Sequence, residues 1–320
     1  MRGREQGAKM KIISTIAKTI SAFILVCLGL LVLGALTITV LFSILDKTNG
    51  RIVSSGLERT YLLYVPASYD PSAPVPLIIS LHGFVEWPAH QMQISGWNDL
   101  ADEYGFIVVY PSGTKFPRRW QAGSRIGDST DPMLDVKFIS DLIDELEQNY
   151  NIDPARIYAN GLSNGGGMSF LLGCALSERI AAIGGVAGAY AIPLEECHPS
   201  RPVPMIAFHG TADPIVPYHG GISGDNGFNF PDLPQWMEAR AALNGCDGSS
   251  IDLPASGEAS GIRYTGCAQG ADVVFYTIAG GGHSWPGGDP LPKWIVGITS
   301  QDINATQIMW EFFKQFSIRE

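Results

Sequence analysis

Charge is scarce in this chain. Of its 320 residues only 16% are Asp, Glu, Lys or Arg, and acids outnumber bases 31 to 21. The first 18 residues hold a net +4, so the remainder carries −14. An acidic body without a basic patch repels phosphate backbones, which excludes a nucleic-acid partner. Cysteine numbers five, and neither C-x-x-C nor H-E-x-x-H occurs. The usual zinc motifs are therefore missing, and neither metal nor cofactor is expected. Histidine numbers six, so acid–base chemistry has few candidates. Internal repeats and a linker to a second domain are also lacking, which leaves one large domain as the expectation.

One long uncharged run is present. Between Lys18 and Asp46 no charged residue occurs. Such a run of about 27 residues spans roughly 40 Å as a helix, enough to cross a bilayer with some tilt. Arg2, Arg4, Lys9, Lys11 and Lys18 precede it, which places the N-terminus on the cytoplasmic side. A cleaved signal peptide is the rival reading, but Leu33-Gly34-Ala35 matches its small-residue site poorly. The expected organisation is a basic cytoplasmic N-terminus (1–18), a transmembrane anchor or signal sequence (19–45), a linker (46–56) and an extracytoplasmic domain (57–320).

Cysteine usage agrees with an oxidising compartment. Cys27 lies in the apolar run and leaves Cys174, Cys197, Cys246 and Cys267, an even number. Four cysteines allow three connectivities. Sequential pairing, Cys174–Cys197 and Cys246–Cys267, closes two short local loops and is the expectation.

From residue 57 onward, short apolar runs alternate with helical periodicity. Residues 60–65, 76–81, 106–110, 156–160, 181–186, 204–209 and 273–278 read as strands. Residues 97–104, 136–150, 166–176, 236–243 and 301–316 read as helices. That alternation implies an α/β fold with a mostly parallel sheet covered on both faces. The Gly/Pro-rich stretch 219–234 reads as an irregular rim over a site.

Gly161-Leu162-Ser163-Asn164-Gly165 falls between a strand and a helix. A G-x-S-x-G in that setting is the nucleophile elbow of an α/β-hydrolase. Serine is a poor nucleophile at neutral pH and needs a base, itself oriented by an acid. In this fold the order is Ser, acid, His. His283 sits in a glycine-framed loop directly after strand 273–278 and is the expected base. His198, in a Pro-rich loop, and His219, in the rim, are weaker candidates. Asp213, just after strand 204–209, is the expected acid, with Asp232 and Asp289 as substitutes lacking a preceding strand. Asn164 supplies one oxyanion N–H, and the loop at Gly83–Phe84 the second, from Phe84. His82 and His209 read as loop-shaping histidines. Trp285 and Trp120 are candidate substrate-binding residues, with Trp236 as easily read as packing.

These pieces together resemble the polyhydroxybutyrate depolymerase/feruloyl esterase family of secreted α/β-hydrolases. The matching segments are Leu81–Gly83, Tyr110–Thr114, Asp153–Tyr158, Gly161–Gly166, His209–Asp213 with Pro214 and Val216–Tyr218, and Gly282–Gly287. The resemblance implies a serine carboxylic-ester hydrolase with Ser163 as nucleophile, Asp213 as acid and His283 as base. Polymer-degrading members often carry cysteines after L-H-G and near the region of Trp120–Gly123; here 84–87 and 124–127 have none. The implied substrates are therefore soluble acyl or aryl esters, or hydroxyalkanoate oligomers, rather than insoluble polyester. Fold and triad do not fix the acyl acceptor, so peptidase and acyltransferase readings stay open, as does a non-catalytic cell-surface binding module.

Overall fold

The structure, a computed structural model, describes residues 24, 27–30, 33–34, 47–114, 116–123, 131–223 and 228–318. The chain divides into two compact units, Met1–Lys47 and Thr48–Glu320. In the first, the described residues up to Gly34 are helical and Cys27 is a free thiol. The expected anchor at 19–45 lies for the most part outside the described residues. Among the described residues no helix is long and apolar enough to cross a membrane.

The second unit is built on a ten-stranded sheet. Its strands are β1 (Gly50–Ser54), β2 (Leu57–Tyr64), β3 (Val75–Leu81), β4 (Ile107–Pro111), β5 (Ile152–Leu162), β6 (Ala182–Val186), β7 (Met205–Gly210), β10 (Ser250–Ser256), β11 (Ala259–Tyr264) and β12 (Val273–Ile278). A separate two-stranded sheet pairs β8 (Gly221–Ser223) with β9 (Phe228–Phe230). The main order is β1-β2-β4-β3-β5-β6-β7-β12-β11-β10. The central six strands, β4 to β12 in that order, run parallel. Antiparallel hairpins close both edges, β1–β2 on one side and β10–β11 on the other.

The parallel strands are buried on both faces, which is why β3 and β4 read as continuous apolar runs. Alternation along β3 sends Leu77, Ile79 and Leu81 into one core and Ile78 into the other. The helices are α1 (Pro88–Ser95), α2 (Trp97–Tyr104), α3 (Met133–Asn149), α4 (Asn164–Ala175), α5 (Leu233–Leu243), α6 (Lys293–Val296) and α7 (Ala305–Phe313). Phe138, Ile139 and Leu142 of α3 and Met168 and Phe170 of α4 fill the first core. Trp97 of α2 and Met309, Trp310 and Phe313 of α7 fill the second. Arg59 and Asp135 form a buried ion pair at 2.8 Å between β2 and α3, and Asp135 also accepts the Gln121 N–H at 2.8 Å.

Each expected strand and helix is present, 97–104 and 273–278 with the expected ends and the others with shifted ones. Helix α7 is shorter than the expected 301–316 because the Asn304 side chain caps it by accepting the Gln307 N–H at 2.9 Å. The stretch 219–234 is not wholly irregular: it carries β8 and β9 and the first turn of α5. Strands β1, β10 and β11 and helices α1 and α6 went unexpected. β1 and β10 are edge strands and β11, paired between β10 and β12, is only partly buried, so burial imposed no apolar run to read. Disulfides join Cys174 to Cys197 and Cys246 to Cys267, the sequential pairing.

Candidate active site

Strand β5 ends at Leu162 and α4 begins at Asn164, so one residue turns the chain. That residue, Ser163, has φ 55° and ψ −118°, a conformation that is uncommon for a side-chain-bearing residue and worth a functional explanation. Backbone bonds hold it: its N–H donates to Val186 O, and its carbonyl accepts from Gly167 and Ala189. A Cβ at Gly161 would lie 2.5 Å from the Gly165 carbonyl carbon, and one at Gly165 would lie 2.1 Å from Leu81 O. Both glycines are thus required by close backbone approach, as the motif demands.

Asp213 follows β7 and His283 follows β12, and β7 and β12 are parallel neighbours. Both side chains are buried, and His283 Nδ1 lies 2.7 Å from Asp213 Oδ2. The same oxygen lies 3.1 Å from Nε2 of His209, while Oδ1 accepts the N–H groups of Ile215 and Val216 at 2.8 Å each. Burial alone would raise the Asp213 pKa. The charge of His283 and the hydrogen bonds from His209 and His283 outweigh it, holding the carboxyl well below the usual range. An ionised Asp213 can only accept, so the Nδ1 of His283 carries a proton in this contact. His209 Nε2 also faces Val216 O at 2.9 Å, and a carbonyl only accepts, so this nitrogen carries a proton too.

Ser163 Oγ and His283 Nε2 form no hydrogen bond with each other. Ser163 instead borders a cleft whose walls include Phe84, Trp120, Ile215, Val216, Phe228 and Phe230. The Asn164 amide opens α4 and has no intrahelical acceptor. Its side-chain amide grips the backbone N–H and carbonyl of Trp120, at 2.7 and 3.1 Å.

One expectation about a site residue needs correcting. Trp285 does not line the cleft. It is buried in the second core, its indole N–H donating to Thr306 at 2.8 Å. In the Gly83–Phe84 loop, where Phe84 is the expected donor, the Gly83 N–H donates to Glu86 Oε2 at 2.9 Å. Trp120 does line the cleft, and its indole N–H donates to His82 O at 3.0 Å. Trp236 stacks on Tyr190 with ring centroids 4.2 Å apart, away from the cleft lining.

The substitute acids and bases are occupied elsewhere. Asp232 caps α5 and pairs with the exposed His219 at 3.0 Å, Asp289 accepts from Gln93 at 2.9 Å, and His198 is exposed. Sequence reading missed the cleft residues Ile215, Val216, Phe228 and Phe230. Alternating aromatics in Phe228-Asn229-Phe230 were the available sign of a strand with one buried face.

A family model described as esterase PHB depolymerase matches residues 59–208. NocK, an inferred esterase of Nocardia uniformis subsp. tsuyamanensis, is 30% identical over 288 residues, 83% of this chain and 82% of its own. Feruloyl esterase C of Emericella nidulans is 30% identical over 270 residues, 83% of this chain and 87% of its own. Among solved structures, an acetyl xylan esterase from Aspergillus awamori aligns with a TM-score of 0.54 at 16% identity, over 83% of this chain and 98% of that one. This last likeness concerns the fold.

Proposed function

We propose that this chain, which belongs to the polyhydroxybutyrate depolymerase/feruloyl esterase family and is a carboxylic ester hydrolase, works through Ser163, His283 and Asp213 on soluble esters outside the cytoplasm. The observation that carries the mechanism is the 2.7 Å contact of His283 Nδ1 with a buried, ionised Asp213 on the sheet edge that also bears the Ser163 elbow. Its consequence is that Nδ1 is the ring nitrogen held by the carboxylate, which leaves Nε2 as the one that exchanges a proton with substrate and serine.

In the reaction, His283 Nε2 removes the Ser163 hydroxyl proton as Oγ attacks the ester carbonyl carbon. The carbonyl oxygen becomes an oxyanion held by the N–H groups of Asn164 and Phe84. Collapse expels the alcohol, which takes the proton from His283, and leaves an acyl group on Ser163. Water then attacks the acyl-enzyme with His283 again as base, and the acid departs. Asp213 stays ionised throughout and stabilises the imidazolium formed in each half.

The apolar and aromatic cleft wall supports an acyl or aryl group of the kind carried by soluble esters or short hydroxyalkanoates. The two disulfides support an oxidising location. The uncharged run 19–45 behind five basic residues supports an anchor that leaves the catalytic unit outside the cytoplasm.

Hydrolysis of p-nitrophenyl esters, hydroxybutyrate oligomers and peptides by full-length protein in detergent tests this reading. Ser163→Ala is expected to cost on the order of 10⁴–10⁶ in kcat and to abolish labelling by a fluorophosphonate. A variant retaining most activity overturns the nucleophile, and preference for peptides over esters overturns the substrate class.

A further inference from the structure

The segment Gly83–Glu86, next to Ser163, is a strained turn whose polar groups are nearly all committed. The Gly83 carbonyl accepts from the Glu86 N–H at 3.3 Å, closing the turn. Val85 sits inside it at φ 65°, which a β-branched residue avoids unless its surroundings impose it. The Val85 N–H donates to Arg118 O at 2.8 Å. The Gly83 N–H donates to Glu86 Oε2 at 2.9 Å. Phe84 has the one amide of the turn without an acceptor among the described residues.

The direction of that amide is determined by its partner atom. His82 Nε2 lies 2.9 Å from the Gly113 N–H, which can only donate, so Nε2 is unprotonated. Nδ1 therefore carries the proton and donates to the Gly83 carbonyl at 2.7 Å. A trans peptide sets its C=O and N–H on opposite sides, so fixing the Gly83 carbonyl points the Phe84 N–H the other way. A Cβ placed on Gly83 would lie 3.5 Å from Ser163 Cβ and 2.9 Å from Glu86 Oε2, which puts this peptide beside the nucleophile.

We propose that Glu86 is a positioning residue for ester hydrolysis: its carboxylate holds the Gly83 N–H and so fixes the strained turn that aims the Phe84 N–H at the developing oxyanion. The inference rests on the Ser163 mechanism proposed above. Glu86 makes no contact with the reacting atoms. A carboxylate in this place is costly in itself, since a negative charge opposes a second one forming nearby. Its value is as an acceptor at a fixed reach. Beside it lies His90, whose Nδ1 is 3.4 Å from Oε1, and both side chains are 19% exposed.

Three variants of the full-length protein separate reach from charge. Glu86→Gln keeps an oxygen acceptor at the same reach without charge, Glu86→Asp keeps the charge but retracts it, and Glu86→Ala removes both. Activity is read as kcat per site titrated with a fluorophosphonate, so that unfolded protein does not count. Affinity for phenylboronic acid, which forms a tetrahedral adduct on serine, is read alongside. Expected losses in kcat are about 10- to 100-fold for Glu86→Ala and about 10-fold for Glu86→Asp, with KM changed less than about threefold and boronate affinity falling in step. Glu86→Gln should stay within about threefold of the parent. Full kcat in Glu86→Asp overturns the proposal, as does a Glu86→Gln loss equal to that of Glu86→Ala. An active Ser163→Ala would instead show that the underlying mechanism is wrong, whatever the Glu86 variants do.

Discussion

The two halves of the candidate site are held by different means. Around Ser163 the geometry is imposed by backbone: a left-handed φ at the serine, three main-chain hydrogen bonds and glycines packed against neighbouring carbonyls. Around Asp213 it is imposed by side-chain chemistry, with four hydrogen-bond contacts converging on one carboxylate from two histidines and two amides. A backbone-built half tolerates no added atom but is indifferent to protonation. A hydrogen-bonded half accepts isosteric changes of shape but depends on which atoms carry protons.

The sharpest test of that contrast is Asp213→Asn, which preserves shape and alters only hydrogen bonding. The amide lets His283 adopt the wrong tautomer, so kcat is expected to fall on the order of 10⁴-fold while the folded state persists. Acid stability should change as well. The folded pKa of Asp213 lies below its unfolded value, so its contribution is present above pH about 4 and lost as pH falls through the folded value. Thermal melts against pH should then show a shallower acid limb in the asparagine variant. Unchanged kcat in this variant would refute the acid assignment.

Gly165→Ala tests the other half, where one methyl group meets Leu81 O at 2.1 Å. Destabilisation of about 3 kcal/mol or more is expected by denaturant unfolding, at the upper end of overpacking costs. A well-folded, active alanine variant would mean that the elbow can relax, and the contrast would lose its basis.

His209→Ala should have a smaller effect, about 10-fold in kcat, because it removes one of the donors that hold Asp213 ionised and in place. His209→Gln should recover part of the loss. An alanine variant with normal kcat and a normal pH profile would reduce His209 to a packing residue.

Trp285→Phe should matter least. It removes the hydrogen bond to Thr306 in the second core, worth about 1 kcal/mol of stability, and leaves kcat and KM untouched. A changed KM would return Trp285 to the cleft.

Much of this was legible before any coordinates. The parallel strands could be read because burial on both faces forces uninterrupted apolar runs, as in Val75–Leu81. The elbow could be read because a strained turn restricts residue choice to a recognisable pattern. Edge strands β1 and β10, and β11 beside one of them, were not legible, since strands with exposed surface carry no obligatory pattern. Trp285 misled because nearness along the chain says nothing of the side on which a loop residue points.

Legible from the residues alone were the order of the candidate nucleophile, acid and base along the chain, the even set of cysteines and the alternation of strand and helix. These are local properties, governed by spacing, backbone restriction and burial. Which residues wall the cleft, the sharing of Asp213 by two histidines and the claim of Glu86 on the Gly83 amide emerge only on folding. Each depends on where separate loops meet above the sheet, and on which hydrogen bonds remain unmade after the backbone has been satisfied.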